Sequence, residues 1–435
     1  MIFLIFLSKM VLFFSRVFRL GSGSTWPGHM TLRIDPEIIE KIIDLNKDLK
    51  IIVVAGTNGK TTTTSLIKHA LNKLGYKVFS NSEGANLING IASAFLKNSN
   101  LAGWLDYDYA VLESDEFTLP LLLKKVTPRV VFILNLFRDQ LDRYGEVNTI
   151  ALKWQNCLKA LPKETLIILN GDDPQLYFIG KNLRQKKEFF GVKNDLMKIK
   201  KIPHDVDFNY CPSCFSLLDY KSISYAHLGD FICKKCGFTR SSVNDFAEDM
   251  INYPLEGLYN IYNTNSVYLF IKKLFKVKAQ RFNQLMKDFQ PSFGRQEEII
   301  YKKRKVFLLL SKNPAGFNQS IKTVINILKG QKANFLISLN DRIPDGQDVS
   351  WIWDVDFRPI LEKAKSVFVS GDRLYDMVLR LEYESAKKNL IPIENLKMAV
   401  ESSISRLDAK EKLFVLTTYS AMLEVRKILV GRKLL

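Results

Sequence analysis

Residues 51–64, IIVVAGTNGKTTTT, decide how the chain is read. A short β-branched apolar run breaks at Gly56, turns through Thr57, Asn58 and Gly59, and opens a helix at the threonines. The free backbone amides at a helix start attract phosphate oxygens, and the helix dipole adds to that attraction. In such a loop Gly56, Thr57, Asn58, Gly59 and Thr62 form the cradle. Lys60 reaches the terminal phosphates, and the Thr61 hydroxyl ligates Mg2+. The spacing GxxGKT is two residues tighter than the general phosphate-loop pattern. The expected ligand is ATP.

Outward from this loop, strands and helices alternate. YKVFS (76–80), YAVLES (109–114), RVVFILN (129–135) and TLIILN (165–170) are short and apolar, with helical stretches between them. That pattern predicts an α/β fold with a parallel sheet buried on both faces. Residues 205–240 interrupt it with paired cysteines, aromatics and turns, and read as an inserted module. A helix follows at about 258–275. A second α/β unit starts near residue 300, with strands VFLLLS, NFLISLN, SVFVSG and LFVLTT. The expected division is an apolar or amphipathic segment and linker at 1–45, an ATP-binding domain at 46–298 and a smaller α/β domain at 299–435.

The chain has 435 residues, 47% hydrophobic and 25% charged, which excludes a disordered polymer. Its net charge of +18 favours a polyanionic or phosphorylated partner or an anionic membrane face. The opening run MIFLIFLSKMVLFFSRVFRL lacks a basic leader and is interrupted by Lys9, Arg16 and Arg19. It reads as an amphipathic helix lying on a membrane or against the ATP-binding domain, not as a signal peptide or a span. The expected location is the cytoplasm, with contact to the inner membrane face.

Four of the five cysteines form two CxxC pairs, Cys211/Cys214 and Cys233/Cys236. Two such knuckles present four thiolates to Zn2+ as a closed structural site, a zinc ribbon. A closed site leaves no position for water, so its role is to fold the insertion. Because the ribbon interrupts a nucleotide-binding domain, nucleic acid is not the expected partner.

GTNGKTT resembles the phosphate loop of Mur ligases and folylpolyglutamate synthases, and further fragments follow in the same order. LESDE offers Glu113 as a second Mg2+ holder. NLFRDQLDRYGE carries Asn135, Asp139 and Asp142, with Gln140 where the family usually has histidine. NGDDP at 170–174 matches a family turn. LEGLYNIYN places Asn260 and Asn263 near adenine, with Tyr259 replacing a histidine. FGRQE supplies Arg295 for the ATP phosphates. Ordinary Mur ligases have a nucleotide-sugar domain ahead of the loop and no ribbon. Here about 50 residues precede the loop, and SKNPAGFNQ (311–319) and NDRIPDGQDVSWIWDVDF (340–357) resemble the MurT branch.

That resemblance implies ATP-dependent amidation of the α-carboxylate of D-glutamate at position 2 of the lipid II stem peptide, through an acyl phosphate, giving D-isoglutamine. It also implies a GatD-like glutaminase partner as the ammonia source. The residues agree on one point: Cys157 lies in a helical pattern, and none of His29, His69, His204 and His227 has the context of a catalytic base, so ammonia comes from another polypeptide. In the MurT family the aspartate two residues before SWI completes the partner's triad. Here that is Asp348, with Asp354 as the alternative. The competing readings are a Mur-type or polyglutamate-type ligase that adds an amino acid, and a nucleic-acid-binding protein using the ribbon.

Overall fold

The computed structural model describes residues 1–17, 25–81, 84–138, 147–199, 209–240, 251–290, 295–384, 390–408 and 411–431. The apolar runs flanking the phosphate loop become strands β1 (Lys50–Ala55), β2 (Val78–Ser80), β3 (Tyr109–Ser114), β4 (Val130–Ile133), β5 (Leu166–Asn170) and β6 (Lys186–Phe190). They form one parallel sheet in the order β2-β3-β1-β4-β5-β6. Alternate residues of β1 enter separate cores. Ile51, Val53 and Ala55 pack on one face, Ile52 and Val54 on the other. Burial on both faces is why this strand reads as a continuous apolar run instead of an alternating one. β1 lies near the middle, and the crossovers run first to one side of it and then to the other. The crevice at its C-terminal end is therefore the expected ligand position.

The second sheet contains β9 (Arg295–Tyr301), β10 (Arg304–Leu310), β11 (Ala333–Ser338), β12 (Ala364–Ser370), β13 (Leu390–Pro392) and β14 (Lys412–Thr417), in the order β13-β12-β11-β14-β10-β9. Among the described residues, only the β9–β10 pair in it is antiparallel. β9 begins at Arg295 and pairs along β10, so it belongs to the second sheet. Its charged Arg295-Gln296-Glu297-Glu298 start hides it from an apolar-run reading.

β7 (Asp219–Tyr225) and β8 (Leu228–Ile232) form the hairpin of the cysteine module. The module is anchored to the first domain by a buried ion pair between Arg240 and Asp172, 2.6 Å long, and Tyr262 donates to Asp172 at 2.6 Å. A lone buried carboxylate is costly, so the Arg240 guanidinium fixes how the module sits, while the Tyr262 hydroxyl satisfies Asp172 from within the first domain.

The N-terminal run forms a helix, Ile2–Val17. Leu4, Ile5, Ser8 and Leu12 are buried, and the helix lies against helices Trp26–Ile34 and Ile88–Asn98. Among the described residues, no helix is long and apolar enough to cross a membrane.

Candidate active site and metal centre

The phosphate loop sits at the C-terminal end of β1, and the helix Lys60–Lys73 begins directly after it. Asn135, at the end of the β4 run, holds the loop: its carbonyl accepts from Thr57 N at 3.1 Å and its side chain from Asn58 N at 2.8 Å. Gly59 has φ +86°, and a Cβ there would lie 2.3 Å from Asn263 Oδ1. Only glycine meets both conditions. Thr62 is buried beneath the loop and lines a cavity with Asn260 and Asn263.

Lys60 is buried. Its Nζ donates to Gly56 O at 2.5 Å and Thr57 O at 3.1 Å, and lies 3.4 Å from Glu116 Oε2. The ammonium is thus held in the cleft by two backbone carbonyls, which phosphate oxygens can replace, and by the Glu116 carboxylate. Thr61 Oγ1 donates to Glu113 Oε1 at 3.1 Å. Glu116 Oε1 is buried with no hydrogen-bond partner among the described residues. These oxygen donors beside a phosphate cradle suit a hard cation such as Mg2+. Motif reading does not single out Glu116. Its signal is the third acid of LESDE, but only the fold directs Glu113 to Thr61, Glu116 to Lys60 and Asp115 to the cap of the next helix.

On one side of the loop, Asn260, Asn263 and Tyr259 line a cavity with Asn58, Gln296 and Ala315. Asn263 donates to Asn260 at 3.2 Å, and Gln296 donates to the Tyr259 hydroxyl at 2.6 Å. The cavity thus joins the LEGLYNIYN segment to the FGRQE segment. The Arg295 side chain, and Asp139, Gln140 and Asp142, lie outside the described residues. On the other side, a cavity of about 310 Å3 is walled by Lys60, Thr61, Glu113 and Glu116 from the first domain and by Ser311, Lys312 and Tyr419 from the second. The domains meet at the loop itself: Asn58 Nδ2 donates to Asn313 Oδ1 at 3.3 Å, and Asn313 Nδ2 to Asn58 Oδ1 at 3.1 Å. Asn313 also caps the helix Pro314–Leu328 through Gly316 N at 2.8 Å. This geometry suits transfer of a terminal phosphoryl group to an acceptor held between the domains.

Asp348 and Asp354 flank a short helical turn, Ser350–Asp354, and are not equivalent. Asp354 forms an ion pair with Arg138 across the domain junction. Asp348 is exposed and accepts from Ser350 N at 2.8 Å. Hydrogen bonds from the Ser350 hydroxyl and amide hold its carboxyl below the usual range. Trp351 is half-buried beside Phe317, whereas Trp353 is exposed, with the Arg380 guanidinium 5.4 Å from its ring centre.

The four ribbon cysteines converge, with all their sulfurs within 4.8 Å of one another. Cys211 and Cys236 sulfurs are 3.6 Å apart, and those of Cys214 and Cys233 3.5 Å. Each knuckle closes in the same way: Cys211 N donates to Ser216 O, and Cys233 N to Phe238 O, both at 2.7 Å. The four thiols can hold a metal ion.

Residues 54–271 match the Mur ligase middle domain, and residues 310–422 match the MurT ligase C-terminal domain. The chain is 33% identical to the MurT subunit of lipid II isoglutaminyl synthase (glutamine-hydrolyzing) from Streptococcus pneumoniae, covering 96% of this chain and 94% of that one. It is 30% identical to the subunit of the same name from Staphylococcus aureus strain COL, covering 92% and 91%. In fold it is similar to a pseudomurein peptide ligase type C from Methanothermus fervidus, with a TM-score of 0.64 at 21% identity, covering 90% of this chain and 81% of that one. A Mur-type phosphate loop is joined here to a C-terminal domain of the MurT kind, the similarity to these subunits covers more than nine tenths of each chain, and the chain belongs to the MurT family of Mur-type ligases.

Proposed function

We propose that this chain is the synthetase subunit of a lipid II isoglutaminyl synthase, and that it amidates the α-carboxylate of D-glutamate at position 2 of the stem peptide. The observation that carries this reading is the cleft at the phosphate loop: two cavities, each lined by residues of both domains, adjoin Asn58 and Gly59, one carrying Asn260 and Asn263 and the other Lys60, Thr61, Glu113 and Glu116. ATP binds with adenine toward Asn260 and Asn263 and its phosphates on the loop. Arg295, at the domain junction, joins them. The substrate carboxylate attacks the terminal phosphorus and ADP leaves. Ammonia then adds to the acyl phosphate, loses a proton and expels inorganic phosphate. Lys60 exchanges its backbone acceptors for phosphate oxygens and neutralises charge that grows during transfer. Mg2+, held by Thr61 and Glu113 with Glu116 beside them, supplies further neutralisation when bound.

The ribbon is a structural Zn2+ site. A Zn–S bond of about 2.3 Å sets tetrahedral sulfurs about 3.8 Å apart, near the spacing of the two close cysteine pairs. Ammonia comes from a GatD-like glutaminase bound to this chain. Asp348 is the residue offered to that partner, because it is exposed and ionised while Asp354 is engaged by Arg138. Its carboxylate orients the partner's histidine and stabilises the imidazolium as the partner's cysteine attacks glutamine. The basic surface favours a diphosphate-bearing substrate at the inner face of the membrane.

The test is the purified complex with its glutaminase, lipid II, ATP and glutamine, with the stem peptide analysed by mass spectrometry. An amide on the second residue is expected, and Lys60→Ala abolishes it. Incorporation of an amino acid in place of the amide would establish the competing ligase reading. Full amidation by Lys60→Ala would refute the phosphate-loop assignment.

A further inference from the structure

A groove of about 530 Å3 opens between helix Trp26–Ile34 and helix Thr118–Lys125, outside the nucleotide cleft. Both walls are fixed. Gly28 lies so close to helix Ile88–Asn98 that a Cβ would stand 1.9 Å from Asn89 O, and its amide donates to Ser93 Oγ at 2.8 Å. Leu119 and Leu122 anchor the opposite wall in the core. The same wall leaves Phe117 54% and Leu121 40% exposed, so the groove displays apolar side chains that folding alone would hide. Leu32 and Ile88 extend this lining, and Arg33 adds an exposed cation with no ion pair among the described residues.

The groove reaches the cleft. Leu87 and Asp115 line both it and the two-domain cavity. Asp115 turns one carboxylate oxygen back to the amides of Phe117 and Thr118 at 3.0 and 3.1 Å, where it caps the wall helix. At the outer side, the Ile2–Val17 helix packs on the wall helix and turns Ile2, Phe3, Phe6, Phe13 and Phe14 outward, each at least 44% exposed. Trp26, on the wall helix itself, is 69% exposed. An apolar face with aromatic residues and nearby basic groups suits the interface of an anionic bilayer.

We propose that this groove seats the prenyl diphosphate end of the lipid-linked acceptor, which enters from the membrane along the apolar helix while its peptide carboxylate reaches the phosphate loop. The assignment rests on the function proposed above. Arg33 pairs with the diphosphate, and Phe117 and Leu121 cover the first prenyl units.

The test uses the full chain in complex with its glutaminase and saturated with a non-hydrolysable ATP analogue, so that the phosphate loop cannot take the probe. Farnesyl diphosphate, farnesol and inorganic pyrophosphate are titrated calorimetrically. Farnesyl diphosphate is expected to bind, with the other two at least roughly tenfold weaker. Arg33→Glu and Leu121→Asp each weaken it by roughly tenfold, Arg33→Lys restores most of the loss, and unchanged nucleotide affinity reports an intact fold. Absence of farnesyl diphosphate binding, or equal binding by wild type and both variants, overturns the proposal. Farnesol binding as tightly as its diphosphate overturns the role of Arg33. Continued amidation of lipid II with no groove binding would remove this proposal alone, whereas farnesyl diphosphate binding without any amidation would remove the synthase reading.

Discussion

Replacing Gly59 by alanine perturbs the phosphate loop in two separable ways. The first is backbone strain: φ at this position is +86°, and an L-residue in left-handed conformation costs about 1–2 kcal/mol. The second is a collision, because the new Cβ would lie 2.3 Å from Asn263 Oδ1 and 3.1 Å from its Cγ. Asn263 must swing away, giving up its hydrogen bond to Asn260, worth about 1 kcal/mol, and placing its amide in the adenine-side cavity. Gly75 is a control built into the same domain. Its φ is +92°, but among the described residues nothing lies within 4 Å of where an added methyl would stand. Gly75→Ala therefore carries the strain without the collision. Thermal unfolding should show a loss of about 2–8 °C for Gly75→Ala, and at least as much for Gly59→Ala. Calorimetric titration with a non-hydrolysable ATP analogue separates them. Gly75→Ala should bind like wild type, and Gly59→Ala about tenfold or more weakly, since 1.4 kcal/mol is a factor of ten. If Gly59→Ala loses stability like Gly75→Ala yet binds nucleotide at full affinity, Asn263 does not border the nucleotide and the assignment of that cavity fails.

Metal analysis of the purified protein should find about one Zn2+ per chain, and Cys211→Ser or Cys233→Ser should lose it together with thermal stability, because metal binding contributes to folding; metal-free, fully stable protein would exclude the ribbon assignment. Asp348→Asn keeps an acceptor for Ser350 N, so the turn and ATP binding should survive while glutamine hydrolysis by the complex falls by about 10²-fold or more, and added ammonia should restore amidation; a mutant with full glutaminase activity contradicts the role given to Asp348. Burial pushes the Cys157 thiol up to about 12. A raised pKa means less thiolate at any lower pH, so iodoacetamide at pH 8 should label Cys157 about 10³-fold more slowly than a free thiol and accelerate as pH rises, read by peptide mass spectrometry; rapid labelling of the folded chain would contradict its burial.

Features whose physics is local are legible in the chain alone. A phosphate loop is a strand end, a turn and a helix start, all within residues 51–64, so its ligand class is written there. Paired CxxC knuckles place their sulfurs through short turns, and the doubly buried strands appear as uninterrupted apolar runs because neither face needs polar residues. Tertiary structure decided what depends on residues far apart in the chain. LESDE supplies three acids within four positions, but pleating at the end of β3 and the following cap direct each to a different partner. Asn58 and Asn313 meet across 255 positions, which no periodicity encodes. Asp348 and Asp354 look alike as acids in one loop, and the tertiary structure separates them, pairing Asp354 with Arg138 of the other domain and leaving Asp348 exposed on the Ser350 amide. The charged strand β9 joins the second sheet because its backbone pairs with β10, a contact that its side chains do not announce. Helical periodicity gave the N-terminal run two faces. Packing against helices Trp26–Ile34 and Ile88–Asn98 selected the one carrying Leu4, Ile5, Ser8 and Leu12 for burial, because that face fits between them, and left the phenylalanines facing outward.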